Sequence, residues 1–146
     1  MISHSEKRLV PYTADLMYSV VADVEQYPEF LPWVVALRVL TRRANGLTAE
    51  MAVGYGALRE RYTSDVTLDP AARTIDVVEI KGLFKTLENS WRFTPTESGC
   101  EVEFSISFEF RSRLLHSVAG KSFEKVMLKM TDAFEARAAA LSRGHS

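Results

Sequence analysis

The chain reads CEVEFSISFEFR from Cys100 to Arg111. Apolar residues occupy every second position of this stretch, and polar or charged residues fill the positions between them. Successive side chains of a strand point to opposite faces, so the pattern predicts a strand with one buried face and one face in water. Alternation over this length indicates an antiparallel sheet, because parallel sheets are usually covered on both faces.

The sequence that follows this strand predicts one long helix from Leu114 to about Leu141. Its apolar stripe comprises Leu115, Ala119, Phe123, Val126, Met127, Met130, Phe134, Ala138 and Leu141. An apolar stripe and an apolar sheet face are expected to bury each other. A strongly curved sheet and a straight helix do not fit flush, so we expect a cavity between them.

Further strands are predicted upstream, and turn residues separate them. The turn signals are Asn45-Gly46, Gly54-Tyr55-Gly56, Asp69-Pro70, Lys81-Gly82 and Thr94-Pro95. A first strand is predicted over Glu6 to Tyr12, and Thr13 is the expected N-cap of a helix from Ala14 to about Asp23. The predicted fold is α+β: seven antiparallel strands wrapped around a long C-terminal helix, in a single domain spanning 1–146. The tail 143–146 is expected to fray.

A stiff apolar connector follows the first helix. It reads Tyr27-Pro28-Glu29-Phe30-Leu31-Pro32-Trp33. Proline fixes φ and lacks an N–H, so this segment is neither mid-helix nor mid-strand. We expect it to cover one end of the predicted cavity, either as a plain hydrophobic plug or as a lid that also touches a membrane.

Composition limits the classes of function. The 146 residues carry a formal net charge of -1. Because this charge does not indicate a basic face for nucleic acid, we expect no DNA partner. Cys100 is the only cysteine, which excludes an intrachain disulfide and fits a reducing cytoplasm. Residues Met1 to Tyr12 resemble neither a signal nor a transit peptide. A cytoplasmic protein, with at most peripheral contact at the inner membrane, is expected.

Three segments resemble one family. They are Val10-Pro11-Tyr12, Asp23 to Trp33, and Leu87-Glu88-Asn89-Ser90-Trp91-Arg92-Phe93. They are similar to the coenzyme Q-binding protein family, which also contains the ribosome-association toxins labelled RatA and lies within the START-like polyketide cyclase/dehydrase superfamily. The order of elements likewise resembles the helix-grip fold of START and birch-pollen-allergen-like domains.

The resemblance implies a non-enzymatic carrier for ubiquinone or a related polyisoprenoid lipid. Such a protein would support quinone biosynthesis and respiratory electron transport, with no metal and no organic cofactor beyond the bound ubiquinone. Two alternatives stay open. One is a RatA-like toxin that binds the large ribosomal subunit and blocks subunit association, although the near-neutral charge gives it little physical support. The other is a cyclase- or aromatase-like enzyme using Glu60 with Ser64 or Tyr62.

Strand parity and the resemblance together give the candidate ligand contacts. They are Tyr27, Phe30, Leu31, Pro32, Trp33, Leu58, Tyr62, Ser64, Asn89, Trp91, Phe123, Met127 and Met130. Ser64 and Asn89 can donate a hydrogen bond to a quinone carbonyl, whereas an ionised Glu60 cannot. Ordinary core packing of the apolar members, and internal bonding of the polar ones, is the competing interpretation.

The histidines do not suggest a metal or catalytic site. His4, His116 and His145 are far apart in the sequence, and His4 and His145 fall in expected flexible ends. We therefore predict no metal ligand and no catalytic residue.

Overall fold

A computed structural model describes residues 1–55, 58–119 and 123–144, and it confirms the predicted antiparallel sheet. The strands in these ranges are β1 (Ile2–Val10), β2 (Val34–Arg43), β3 (Gly46–Tyr55), β4 (Leu58–Asp69), β5 (Thr74–Gly82), β6 (Phe84–Thr96) and β7 (Gly99–Phe110). They form one sheet in the order β1-β7-β6-β5-β4-β3-β2, and each described neighbour pair is antiparallel.

The helices pack on one face of this sheet, which we call the inner face. They are α1 (Ala14–Ala22), α2 (Tyr27–Phe30), α3 (Arg113–Ala119) and α4 (Phe123–Gly144), with a 3-10 turn at Val24–Gln26. Thr13 is the N-cap of α1 as predicted, because its Oγ1 accepts the backbone N–H of Leu16 at 3.1 Å.

The predicted C-terminal helical region, Leu114 to about Leu141, is confirmed in the described residues. It is described as α3 (Arg113–Ala119) and α4 (Phe123–Gly144), and the stretch 120–122 lies outside the described residues. α3 lies against β7, while α4 makes its closest backbone approaches to α1, α2 and β1.

The prediction for the first strand is wrong at both ends, since β1 spans Ile2–Val10 instead of Glu6–Tyr12. Its inner face alternates through Ile2, His4, Glu6 and Arg8, so polar side chains occupy positions where apolar ones are usual. His4 does not lie in a flexible end: its side chain is 8% exposed and packs near the rings of Phe104 and Phe123.

α4 supplies the partners that allow this polar strand face to be buried. Arg8 donates from Nη1 to Asp132 Oδ1 at 2.7 Å and to Glu135 Oε1 at 3.1 Å. Its Nη2 donates to Thr131 Oγ1 at 2.9 Å, and Thr131 donates to Glu6 Oε1 at 3.1 Å. Burial lowers the pKa of Arg8, but these acidic partners raise it, and the net shift is upward. Hydrogen-bonded charge pairs thus join β1 to α4.

Candidate functional site

The inner face is closed at one end and accessible at the other. Leu47, Val66 and Ile75 are buried, whereas Met51, Tyr62, Val77 and Glu79, which lie further along the same three strands, are half-buried. All of these side chains share the inner face by register. We call the region around Met51, Tyr62, Glu79 and Phe84 the open end. The side chains at the open end are thus less covered by the rest of the protein than those at the closed end.

A carboxylate lies at the open end. Glu79 of β5 pairs in register with Ser64 of β4, and its Oε1 accepts the backbone N–H of Phe84 at 3.2 Å. Its Oε2 is buried and has no hydrogen-bond partner among the described residues. Buried polar atoms are nearly always hydrogen-bonded, so this oxygen keeps an acceptor position that the described residues do not use.

A bulge in β5 brings Glu79 and Phe84 together. The register shifts between the Ser64–Glu79 and Thr63–Lys81 pairs, which leaves Ile80 as the extra residue. Gly82 then has a φ of 123°, which L side chains rarely adopt. A Cβ at Gly82 would lie 2.6 Å from the carbonyl oxygen of Arg61, so glycine allows the close approach of β5 to β4.

Burial raises the pKa of each of three titratable groups at or beside the open end. Burial raises the pKa of Glu79, while the Phe84 N–H and the positive charge of Arg111 oppose the shift. Burial, with the nearby charge of Glu79, raises the pKa of Tyr62 to about 12. Burial also raises the pKa of Tyr27, whose ring is close enough to Tyr62 for their charges to interact. Both phenols are therefore protonated donors at neutral pH.

The connector packs onto α4 beside this region. The Tyr27 ring lies 5.3 Å from the Phe134 ring, and the Phe30 ring lies 5.4 Å from it. Leu31 is buried and Trp33 is half-buried, while Pro32 is exposed. The Tyr27 hydroxyl donates to the Val21 carbonyl oxygen, which ties the connector to α1. The predicted role of this segment as a cover for bound lipid stays a prediction.

The predicted contacts in β4 and β6 are placed on the inner face but differ in accessibility. Ser64 is buried and Asn89 is half-buried. The Asn89 amide already donates to the Ser105 carbonyl at 3.1 Å and accepts from Trp91 Nε1 at 3.1 Å, so the protein itself engages both of its ends. Leu58 begins β4, and its side chain lies outside the described part of the structure.

The Trp91 ring belongs to the packed core. It is buried between Phe104, at a ring distance of 4.5 Å, and Phe134, at 5.2 Å. On α4, Met127 is buried, whereas Phe123 and Met130 are half-buried. The Phe123 ring lies 4.5 Å from that of Phe108. Phe123 and Met130 thus keep the accessibility that a ligand contact needs, and Trp91 and Met127 have little of it.

Sequence reasoning considered Glu60 and missed Glu79. Glu60 shares the inward parity of β4, but it is exposed. The alternation of Ile75, Val77 and Glu79 in β5 indicates that Glu79 faces inward, since Glu79 has the same parity as two apolar inward residues.

A groove of about 580 Å³ lies on the outer face of the sheet and is not the predicted cavity. Its walls are polar and charged, with Lys7, Asp76, Arg92 and Glu103 among them. The cavity between sheet and helix stays a prediction, which the half-buried inner face supports.

An antiparallel sheet that grips a C-terminal helix and leaves part of its inner face accessible defines the helix-grip class of domains, to which START superfamily structures belong. The chain is a member of the polyketide cyclase / dehydrase and lipid transport family, whose model matches residues 10–135. The family resemblance noted in the sequence is thereby confirmed.

Two curated relatives have different functional names. The mitochondrial coenzyme Q-binding protein COQ10 homolog B of Xenopus laevis is 36% identical over 94% of this chain, which spans 58% of that relative's length. The ribosome association toxin RatA of Rickettsia prowazekii is 33% identical over 94% of this chain and 97% of its own.

Solved structures confirm the fold. The solution structure of an 18 kDa protein from Caulobacter crescentus is 38% identical, covers 97% of this chain and 99% of its own, and gives a TM-score of 0.81. The Zhui aromatase/cyclase from Streptomyces sp. R1128 gives a TM-score of 0.82 at 18% identity over 94% of this chain and 92% of its own, a likeness of fold alone. In the described ranges, no helix is long and apolar enough to cross a membrane.

Proposed function

We propose that this protein is a non-enzymatic carrier that holds the ring and the first isoprenoid units of ubiquinone, or of a related polyisoprenoid lipid, between the inner face of the sheet and α4. The observation that carries the proposal is the half-buried inner face at the open end, where Tyr62 and Phe84 lie beside Glu79 and Met51 contacts Tyr62. Few polar groups within an apolar wall are typical of small-molecule sites. The 36% sequence identity with the Xenopus coenzyme Q-binding protein supports the choice of ligand.

Burial of the lipid tail supplies the affinity without a covalent step. Apolar area removed from water contributes about 25 cal/mol per Å², so each isoprene unit adds binding free energy in proportion to the area it buries. The half-buried Phe123 and Met130 of α4 offer the adaptable surface that a flexible tail requires. No organic cofactor or metal takes part in this proposal.

Extraction of the purified protein with organic solvent, followed by mass spectrometry, tests the proposal. We expect a polyisoprenoid quinone in the extract, and quenching of tryptophan fluorescence when a quinone is added to the delipidated protein. An extract free of quinone, together with unchanged fluorescence on titration, would reject the carrier function.

A second candidate is binding to the large ribosomal subunit, which the Rickettsia relative favours by its coverage of nearly the whole length. The formal net charge of -1 does not favour this candidate, since attraction to phosphate dominates binding to RNA. Sucrose-gradient profiles with and without overexpression separate the two functions, because only ribosome binding depletes the joined subunits.

An aromatase- or cyclase-like activity is the third candidate, and the likeness to the Streptomyces enzyme extends to the fold alone. Glu60, one member of the acid–base pair considered from the sequence, is exposed and so poorly placed for chemistry on the inner face. Incubation with a polyketide chain followed by product analysis tests this candidate directly.

For a lipid carrier, we further propose peripheral contact with anionic membranes at the outside of the open end. Leu114 of α3 and Ile80 of β5 are exposed apolar side chains there, and the exposed Lys81 and Arg113 are their neighbours in the chain. The two segments meet where Arg111 Nε donates to the Gly82 carbonyl oxygen at 2.8 Å. Apolar side chains beside cations suit a surface of anionic lipid.

A further inference from the structure

Glu79 is the polar group of the open end that has an unused hydrogen-bonding position. Its Oε1 is occupied by the Phe84 N–H at 3.2 Å, whereas its buried Oε2 has no partner among the described residues. The pairing with Ser64 places it on the inner face. An ionised carboxylate oxygen accepts hydrogen bonds and donates none, so it selects a ligand group that carries a proton.

From this geometry we propose that Glu79 Oε2 accepts a hydrogen bond from a ring hydroxyl of the bound lipid, so that the site binds the reduced hydroquinone head more tightly than the oxidised quinone. The inference rests on the proposed carrier function and names the redox form that it favours. A quinone carbonyl has no proton to give and would place its oxygen against the carboxylate, whereas a hydroquinone hydroxyl forms a charge-assisted hydrogen bond.

The groups that face Glu79 agree with this assignment. Tyr62 lies beside it from β4, and the Tyr62 ring is 5.1 Å from that of Phe84, which gives an aromatic wall for a ring-shaped head. Arg111, after β7, carries a permanent positive charge that favours the ionised carboxylate. Tyr27 stands beyond Tyr62 on the connector, and burial keeps both phenols protonated. Glu79 is therefore the member of this set whose charge changes between acid and neutral pH.

Protonation of Glu79 reverses the preference. A carboxylic acid donates through its O–H, so at acid pH the same oxygen serves a quinone carbonyl. The ratio of hydroquinone to quinone affinity should therefore fall as pH falls through the raised pKa of this carboxyl.

Calorimetric titration of the delipidated protein with decylubiquinone and with its borohydride-reduced hydroquinone, under argon, measures this ratio. The two ligands share one tail, so their ratio isolates the ring. At pH 8 we expect the hydroquinone to bind about tenfold more tightly, which corresponds to about 1.4 kcal/mol. The ratio should decrease in titrations repeated at successively lower pH. The pH series on the wild-type protein needs no variant and is unaffected by any folding defect.

Glu79→Gln should reduce the pH 8 ratio to near unity and remove its pH dependence while both ligands still bind. Glu60→Gln is the matched control, because Glu60 shares the inward parity but is exposed, and it should retain the wild-type ratio. Equal affinity of the wild type for both forms at pH 8, or an unchanged ratio in Glu79→Gln, would overturn the inference and leave the carrier function standing. Failure of the wild type to bind either form would overturn both.

Discussion

At the scale of single residues, two glutamates of the same parity have different environments. Glu60 extends into solvent, whereas Glu79 is held against the Phe84 N–H with one oxygen buried. The bulge at Ile80 and the close approach at Gly82 produce this difference, because they fold the end of β5 back towards the start of β6. Burial without full hydrogen bonding makes the charged form of Glu79 costly.

The raised pKa of Glu79 predicts a pH-dependent cost to folding. An unfolded glutamate has a pKa of about 4.3, and the pKa of the Glu79 carboxyl in the folded protein is higher. The protonated carboxyl therefore favours the folded state fully at a pH below the unfolded pKa, and this stabilisation is lost as pH rises through the folded pKa. Glu79→Gln does not titrate. The difference in free energy of unfolding, variant minus wild type, should therefore increase from acid to neutral pH.

Urea unfolding of both proteins between pH 4 and pH 8 measures this difference. Curves that run parallel across the range would show that Glu79 has an ordinary pKa. Glu60→Gln serves again as the comparison, since Glu60 shares the inward parity but is exposed to solvent.

At the scale of elements, the packing of α4 against β1 depends on the Arg8 network. Arg8→Met retains much of the aliphatic length but leaves Asp132, Glu135 and Glu6 without their shared cation. We expect the free energy of unfolding to fall by about 1.5–3 kcal/mol, the range for losing hydrogen bonds to charged groups. Chemical denaturation provides the measurement.

Arg38→Met is the matched control for that variant. Arg38 also pairs with a glutamate, Glu50 at 3.4 Å, but its side chain is 72% exposed. Exposed pairs contribute little, so its effect should stay within about 0.5 kcal/mol. Equal losses from the two variants would show that the Arg8 network does not fix α4.

The connector is a second element with a testable role. Phe30 packs on Phe134 and lies under the Arg137 guanidinium at 5.3 Å, so its removal has some cost to folding. If the connector also covers the lipid, the double variant Phe30→Ala with Trp33→Ala should weaken quinone binding more than its lost stability explains.

A core variant of similar stability separates these effects. Phe93 lies in the buried core and outside the connector. Phe93→Leu should therefore lower stability without changing the residues that cover the lipid. The double variant is compared with Phe93→Leu for quinone binding. If it binds quinone no more weakly than Phe93→Leu does, the segment Tyr27–Trp33 only covers the hydrophobic core.

At the scale of the whole molecule, we expect some exposed apolar side chains to contact a membrane and others not to. Leu114 is 77% exposed and follows Arg113 in the chain, while Leu9 is 73% exposed on the outer face of β1. Leu114→Ser should reduce co-sedimentation with vesicles of phosphatidylcholine and phosphatidylglycerol several-fold, and Leu9→Ser should leave it near the wild-type level. Equal loss in both variants, or binding that added salt does not weaken, would argue against contact through this surface.

The sequence by itself determined the parts of the fold that depend on local pattern. The alternation in β7 and the Thr13 cap each specify backbone geometry within a few residues, and both are confirmed. The hairpin that Asn45-Gly46 predicted also forms, but its two turn residues are Ala44 and Asn45, because Gly46 of β3 already pairs with Arg43 of β2. The inward parity of Tyr62 and Ser64 followed from the same alternation. Family membership could also be predicted, because the connector residues are an unusual local combination.

Only the tertiary structure decided which polar residues are buried and what they contact. The start of β1, before Glu6, was missed because His4 and its polar neighbours look like a solvated end. The partners of Glu6 and Arg8 on α4 are more than 120 positions away in sequence. Glu79 was missed for a related reason: its environment comes from a bulge, a positive φ at Gly82 and a neighbouring strand. A side chain's periodicity is local, whereas its solvation depends on whatever the folded chain brings beside it.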